Sequence, residues 1–171
     1  QTFSGSWGYY RDEATWKDNR QLLGLLIESV SKGGNLLLNV GPTARGTFDQ
    51  RAQERLAGLG KWMAVNSPSI YGCTEAPAGF DAPDNTLLTY NPETNRLYVH
   101  LLDYPLGRLL LKGYAGKVKY AQFLHDRSEL RFGKANASVT HKDELDEKDI
   151  LLVLPDVRPD VEIPVIELIL N

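Results

Sequence analysis

The residues best placed to do chemistry fall in two clusters. One is Ser6-Trp7-Gly8-Tyr9, with Tyr10, Arg11, Asp12 and Trp16 behind it; the other runs Ser31-Lys32-Gly33-Gly34-Asn35-Leu36-Leu37-Leu38-Asn39-Val40-Gly41-Pro42. An aromatic-rich loop suits a sugar, because the apolar C–H face of a pyranose packs on a ring while Tyr hydroxyls and Asn amides reach its hydroxyl groups. Trp7, Tyr9 and Asn39 are therefore the candidate substrate-binding residues. Each also has a plainer role open to it: Trp7 as core under a loop, Tyr9 as packing, Asn39 as a brace at a strand end. Gly33-Gly34 precedes an apolar run rather than a helix and is not followed by a lysine-serine pair, so it reads as a helix stop and not as a phosphate cradle.

The elements that would position these clusters alternate. Asp18 to Ser31 predicts a helix, with Asp18 as its cap, Gln21 completing a capping box, and Leu22, Leu23, Leu26, Ile27 and Val30 forming an apolar face. Gly33 supplies the left-handed stop. Asn35 to Val40 is a short, mostly apolar run that reads as a strand buried on both faces, which argues for a parallel sheet. A second helix is expected from about Phe48 to Val65, with Ala52, Leu56, Leu59 and Met63 on one stripe and Trp62 beside them in the core. Helix, buried strand, helix fits either the closing turns of a (β/α) barrel or an open doubly wound sheet. In a barrel, Asn39 to Thr43 would lie at the mouth of the active site.

From about Cys73 the texture changes. Pro77, Gly79, Pro83 and Asp84-Asn85 make a turn-rich stretch, after which strand candidates recur at 86–90, 96–102, 108–112, 117–123, 129–132, 137–141, 150–154 and 162–170. In the second of these, Leu97, Val99 and Leu101 alternate with Tyr98, His100 and Leu102, so one face should be buried and the other wetter. The expected fold is a multi-domain α/β plus all-β chain. Residues 1–72 form the α/β part, 73–85 a linker and 86–171 an antiparallel β-sandwich.

Composition narrows the partners. A chain of 171 residues with 42% hydrophobic and 24% charged content is apolar enough to fold. Its net charge of −3, with Lys and Arg scattered, leaves a nucleic acid nothing to follow. No apolar run approaches the roughly 20 residues that span a bilayer, so a soluble chain with no membrane partner is expected. His100, His125 and His141 lie far apart, and Cys73 is the single cysteine, so neither a zinc site nor an internal disulfide is expected, and no metal or cofactor. Asn136-Ala137-Ser138 is a formal glycosylation sequon. The opening Gln1-Thr2-Phe3-Ser4 resembles neither an initiator methionine nor a signal peptide and reads as a cut inside a longer protein.

Taken together, Ser6-Trp7-Gly8-Tyr9, the Ser31 to Pro42 run, Gly60-Lys61-Trp62 and Ile70-Tyr71-Gly72 resemble, in order and spacing, the α-L-fucosidases of glycoside hydrolase family 29. Val40 stands where that family commonly has isoleucine, a change of one methylene, and Asn66-Ser67-Pro68-Ser69 replaces its usual Asn-Gly-Glu-Ala at a helix end. The resemblance implies that residues 1–72 end a catalytic (β/α) barrel and that a C-terminal β-sandwich follows; the residues alone leave open a non-catalytic carbohydrate-binding or packing sandwich module and a barrel glycoside hydrolase of other specificity. It implies a retaining hydrolase of α-L-fucosyl linkages whose nucleophile aspartate and acid/base glutamate lie upstream of Ser6, hence before Gln1. Asp12 and Glu13 are the acids nearest Trp7, and adjacent residues make a poor pair for a reaction needing two carboxyls about 5 Å apart. The resemblance further places Trp7 beside the 6-methyl of fucose, a contact worth roughly 0.8 kcal/mol or more. The implied partners are a fucosylated glycan and the N-terminal part of the same enzyme, as a second chain if the protein is processed. The compartment is left open, with secreted, periplasmic and lysosomal settings all compatible with the sequence.

Overall fold

The structure, a computed structural model, describes residues 1–134 and 146–171. The strand expected at 137–141, the sequon at Asn136 and residues 142–145 of the charged loop that runs to Asp149 lie outside the described residues.

Helix α1 (Asn19–Ser31) opens on the expected capping box: the Asp18 carboxylate accepts the Gln21 N–H at 2.7 Å, and the Gln21 side chain accepts the Asp18 N–H at 2.9 Å. Gly33, at φ +68°, ends it by donating its N–H to Val30 O. Helix α2 (Gln50–Asn66) starts later than its apolar pattern predicts. Asp49 is the cap, accepting the Arg51 N–H at 2.8 Å, and Phe48 stays outside the helix, partly exposed. The buried face of α2 is Ala52, Trp62 and Asn66, while Leu56 of the expected stripe is exposed.

Among the described residues seven strands follow: β1 (Thr86–Asn91), β2 (Arg96–Leu101), β3 (Arg108–Leu111), β4 (Val118–Phe123), β5 (Phe132–Lys134), β6 (Ile150–Val153) and β7 (Val165–Leu170). They form two antiparallel sheets, ordered β1-β2-β7-β4 and β3-β6-β5. Leu97, Val99, Leu111, Phe123, Leu152 and Leu168 interdigitate between them as the principal core.

The outer face of the four-stranded sheet is not the wetter face predicted for β2. Tyr98 is 2% exposed and His100 is 0% exposed, because α1 and α2 cover them. Leu23, Ile27, Val30 and Trp62 from the helices pack there with Tyr98, Ile163 and Val165. The arrangement has three layers, helices on sheet on sheet, with one continuous apolar interface joining residues before Cys73 to those after it. On this face Glu167 is 3% exposed, and its carboxylate is neutralised by Arg96 at 3.1 Å and Arg127 at 3.0 Å, with the Gln122 amide also donating to it.

The run Asn35 to Val40 also departs from expectation. It pairs on one side only, through a parallel bridge between Thr2 and Asn39: Phe3 N donates to Asn39 O at 3.1 Å and Asn39 N to Gln1 O at 2.9 Å. Leu38 and Val40 pack inward on a small core of Phe3, Leu22 and Ala52, whereas Leu37 is 81% exposed. The parallel direction agrees with the sequence reading, but the burial is one-sided because no second strand flanks the run among the described residues. No helix among them is long and apolar enough to cross a membrane.

Candidate functional site

The two clusters meet. The Asn39 side-chain amide donates to the Trp7 carbonyl at 2.7 Å, tying the aromatic loop to the strand-like run across 32 residues of sequence. Gly41 makes the meeting possible: a Cβ there would lie 2.5 Å from Tyr9 N and 2.6 Å from Gly8 C, both backbone atoms that cannot swing aside. Gly41→Ala should therefore destabilise the chain by about 1–3 kcal/mol by prising loop from strand. At Gly8 nothing lies within 4 Å of an added Cβ, so Gly8→Ala should stay within about 0.5 kcal/mol. Urea midpoints of the two variants check this, and equal shifts would contradict it.

Trp7 is not core. Its indole is 66% exposed, and Tyr10 and Tyr9 are exposed beside it. Tyr9 and Asn39 line a crevice of about 10 Å³ with Ser6, Gly8, Glu13 and Gly41. That is about the room one water needs, far less than a pyranose. The loop therefore offers an open aromatic wall rather than a closed pocket. Asn39 acts here as a brace, its amide engaged by the loop.

The acids near Trp7 are engaged as well. Glu13 accepts the Thr15 hydroxyl at 2.6 Å and the Thr15 N–H at 2.8 Å on one oxygen, and the Ser6 hydroxyl at 3.0 Å on the other. Donation from Thr15, supplemented by Ser6, lowers its pKa to about 2. Glu13 is thus a fixed carboxylate that folds the loop back on itself, and no proton donor at neutral pH. Asp12 pairs with Arg11 at 3.0 Å.

The sequence reading missed what holds this loop from behind. The Arg51 guanidinium donates to Glu13 O and to Arg11 O, each at 3.0 Å, and grips the Asp49 carboxylate at 2.8 and 3.1 Å. Asp49 has its pKa lowered, first by that Arg51 side-chain bond. Trp16 lies under two cations, with Arg51 at 4.9 Å and Arg55 at 5.1 Å from its ring centroid. The available signal was the pair of arginines one turn apart at the start of α2, which reads on its own as a solvated helix face.

The exposed aromatic loop is thus tied to the run that ends in the Thr2–Asn39 parallel bridge, on a helical layer backed by two antiparallel sheets. In sequence the chain is similar to α-L-fucosidases: residues 1–68 match the Alpha-L-fucosidase family. An α-L-fucosidase of Branchiostoma floridae is 38% identical over 109 residues, 62% of this chain and 24% of that protein. Human plasma α-L-fucosidase is 35% identical over 113 residues, 64% of this chain and 24% of that protein. The solved structure of α-L-fucosidase isoenzyme 1 from Paenibacillus thiaminolyticus superposes with a TM-score of 0.87 at 35% identity, covering 99% of this chain and 38% of that one. The chain thus spans about a quarter of the length of the curated relatives it matches.

Proposed function

We propose that this chain is part of a retaining α-L-fucosidase, the part without the two reacting carboxyls. Residues 1–72 contribute the end of its catalytic (β/α) barrel, 73–85 connect, and 86–171 form the β-sandwich that backs it. The observation that carries the reading is the exposed Trp7 indole on a loop that Asn39 and Gly41 hold against the parallel Thr2–Asn39 bridge. A tryptophan held open in this way has a ligand, rather than a core, to cover. In the whole enzyme the indole packs on the 6-methyl of fucose, Tyr9 and Asn39 complete that wall, and the aspartate and glutamate implied by the family resemblance come from an upstream segment. Leu37, Phe48 and Tyr71, also exposed, are covered by that segment. A glycoconjugate substrate goes with a secreted, periplasmic or lysosomal setting.

The chain alone should leave an aryl α-L-fucoside intact, and the parent protein should hydrolyse it. Cleavage of a different glycoside in its place overturns the assignment. In the parent, Trp7→Ala should lower kcat/KM on the aryl fucoside by roughly 10- to 100-fold, as expected for one lost apolar wall. It should cost less on the 6-hydroxylated sugar, and equal losses on the two would mean that Trp7 does not read the methyl.

A further inference from the structure

We infer that Arg51 is the positioning residue of this site, fixing the aromatic loop so that Trp7 and Tyr9 present a preformed wall to the sugar. The inference rests on the fucosidase reading above. Loop 6–17 has little else to hold its middle. Trp7 and Tyr10 are largely exposed, Asn39 fixes the loop's near end, and Glu13 links it only to itself through Ser6 and Thr15. Among the described residues, Arg51 alone reaches two loop carbonyls with its side chain, Arg11 O and Glu13 O. It does so from a rigid helix, with its planar head oriented by two bonds to Asp49 and laid over Trp16. A guanidinium has enough donors in one plane to serve two carbonyls and a carboxylate together; an ammonium does not. Arg55 shares the Trp16 ring and donates to Lys17 O, at the far end of the loop.

The consequence concerns binding rather than bond cleavage. A wall that contacts the sugar equally in ground and transition states contributes to KM. A loop that must be ordered on binding weakens affinity in proportion to its disorder. In the parent enzyme, Arg51→Ala is expected to raise KM for the aryl fucoside about tenfold with kcat changed less than about threefold. In the 171-residue chain the same change should speed amide hydrogen exchange in residues 8–15 about tenfold or more, while α1 and the sheets keep their protection. Arg51→Lys keeps the charge and should fail to rescue either readout; it also answers the question if the alanine variant does not fold. Arg55→Ala should leave KM and exchange in residues 8–12 near wild type.

Rescue by lysine, equal effects from Arg51 and Arg55, or unchanged loop exchange in Arg51→Ala would each overturn the assignment. A parent protein that turns over no fucoside would instead refute the fucosidase reading and leave the exchange result to judge the clamp by itself.

Discussion

Trp62→Ala is expected to lower the free energy of unfolding by about 3–5 kcal/mol, the range for emptying a large aromatic site in a core. Trp62 is 3% exposed and sits where three parts of the chain converge. Its ring stacks on His100 of β2 with centroids 6.3 Å apart, and it packs with Ile27 of α1 and Val165 of β7. Its Nε1–H donates to Ile163 O at 3.0 Å across 101 residues of sequence. The alanine variant opens a cavity at the seam between helices and sheet and orphans the Ile163 carbonyl, so the loss should be concentrated there. Trp62→Phe separates the two effects: it keeps most of the packing and drops only the hydrogen bond, at about 1 kcal/mol. Urea denaturation gives both values. A loss under about 1 kcal/mol in the alanine variant would mean that the helical layer is held chiefly by something else. The exposed Arg20–Asp103 ion pair is too weak to be that alternative, since solvated pairs contribute about 0–1 kcal/mol.

The position of Trp62 also marks how far the sequence could be read. What depends on neighbouring residues was legible: the Asp18–Gln21 capping box, the Gly33 stop, and the alternating strands with turns between them, which match β1, β2, β3, β4 and β6 closely. What depends on distant coverage was not. Tyr98 and His100 look like a wet face because both carry polar atoms, and only the helices arriving 30 or more residues earlier in the chain bury them. The strand expected at 129–132 failed for a related reason. Glu129 bridges to Gln122 of β4, and Leu130 N donates to Ala121 O. Val153 N of β6 then donates to Arg131 O, and Phe132–Lys134 completes the pairing with β6 in the other sheet. The segment changes sheets midway, and no periodicity within four residues records that. At 162–170 the strand begins only at Val165, since Pro164 has no N–H to give a ladder.

The candidate site divides in the same way. Trp7, Tyr9, Asn39 and Gly41 were visible as two motifs, and their meeting is physically reasonable given a parallel strand. The grip of Arg51 on the loop was invisible because the groups it holds there, Arg11 O and Glu13 O, are backbone carbonyls, which leave no trace in residue type. Leu37 was misread as doubly buried because the apolar run carries no mark of which flank this chain itself covers.

Acid should weaken this fold through one residue above others. His100 is fully buried, and its Nε2 lies 2.9 Å from Thr89 Oγ1. The Thr89 hydroxyl has a single proton, which it donates to Ser69 O at 2.7 Å, so the histidine must be the donor at Nε2. Nδ1 is then the unprotonated nitrogen, and among the described residues it has no hydrogen-bond partner. A second proton would place a charge at Nδ1 in a fully buried site, with no acceptor for it among the described residues. Burial accordingly lowers the His100 pKa to about 3. In the unfolded chain the imidazole titrates near 6.5, so between pH 6.5 and about 3 the unfolded state binds the proton that the folded state refuses. Stability from this group is complete above pH 6.5. It falls by about 1.4 kcal/mol per pH unit as the solution is acidified through that window, and levels off near pH 3. His100→Gln, whose amide can still donate to Thr89, should reduce stability at pH 7.5 yet flatten the dependence by about that slope. Unfolding free energies for both proteins between pH 7.5 and 4.5 measure the difference, and parallel curves would show that His100 is protonated in the folded state after all.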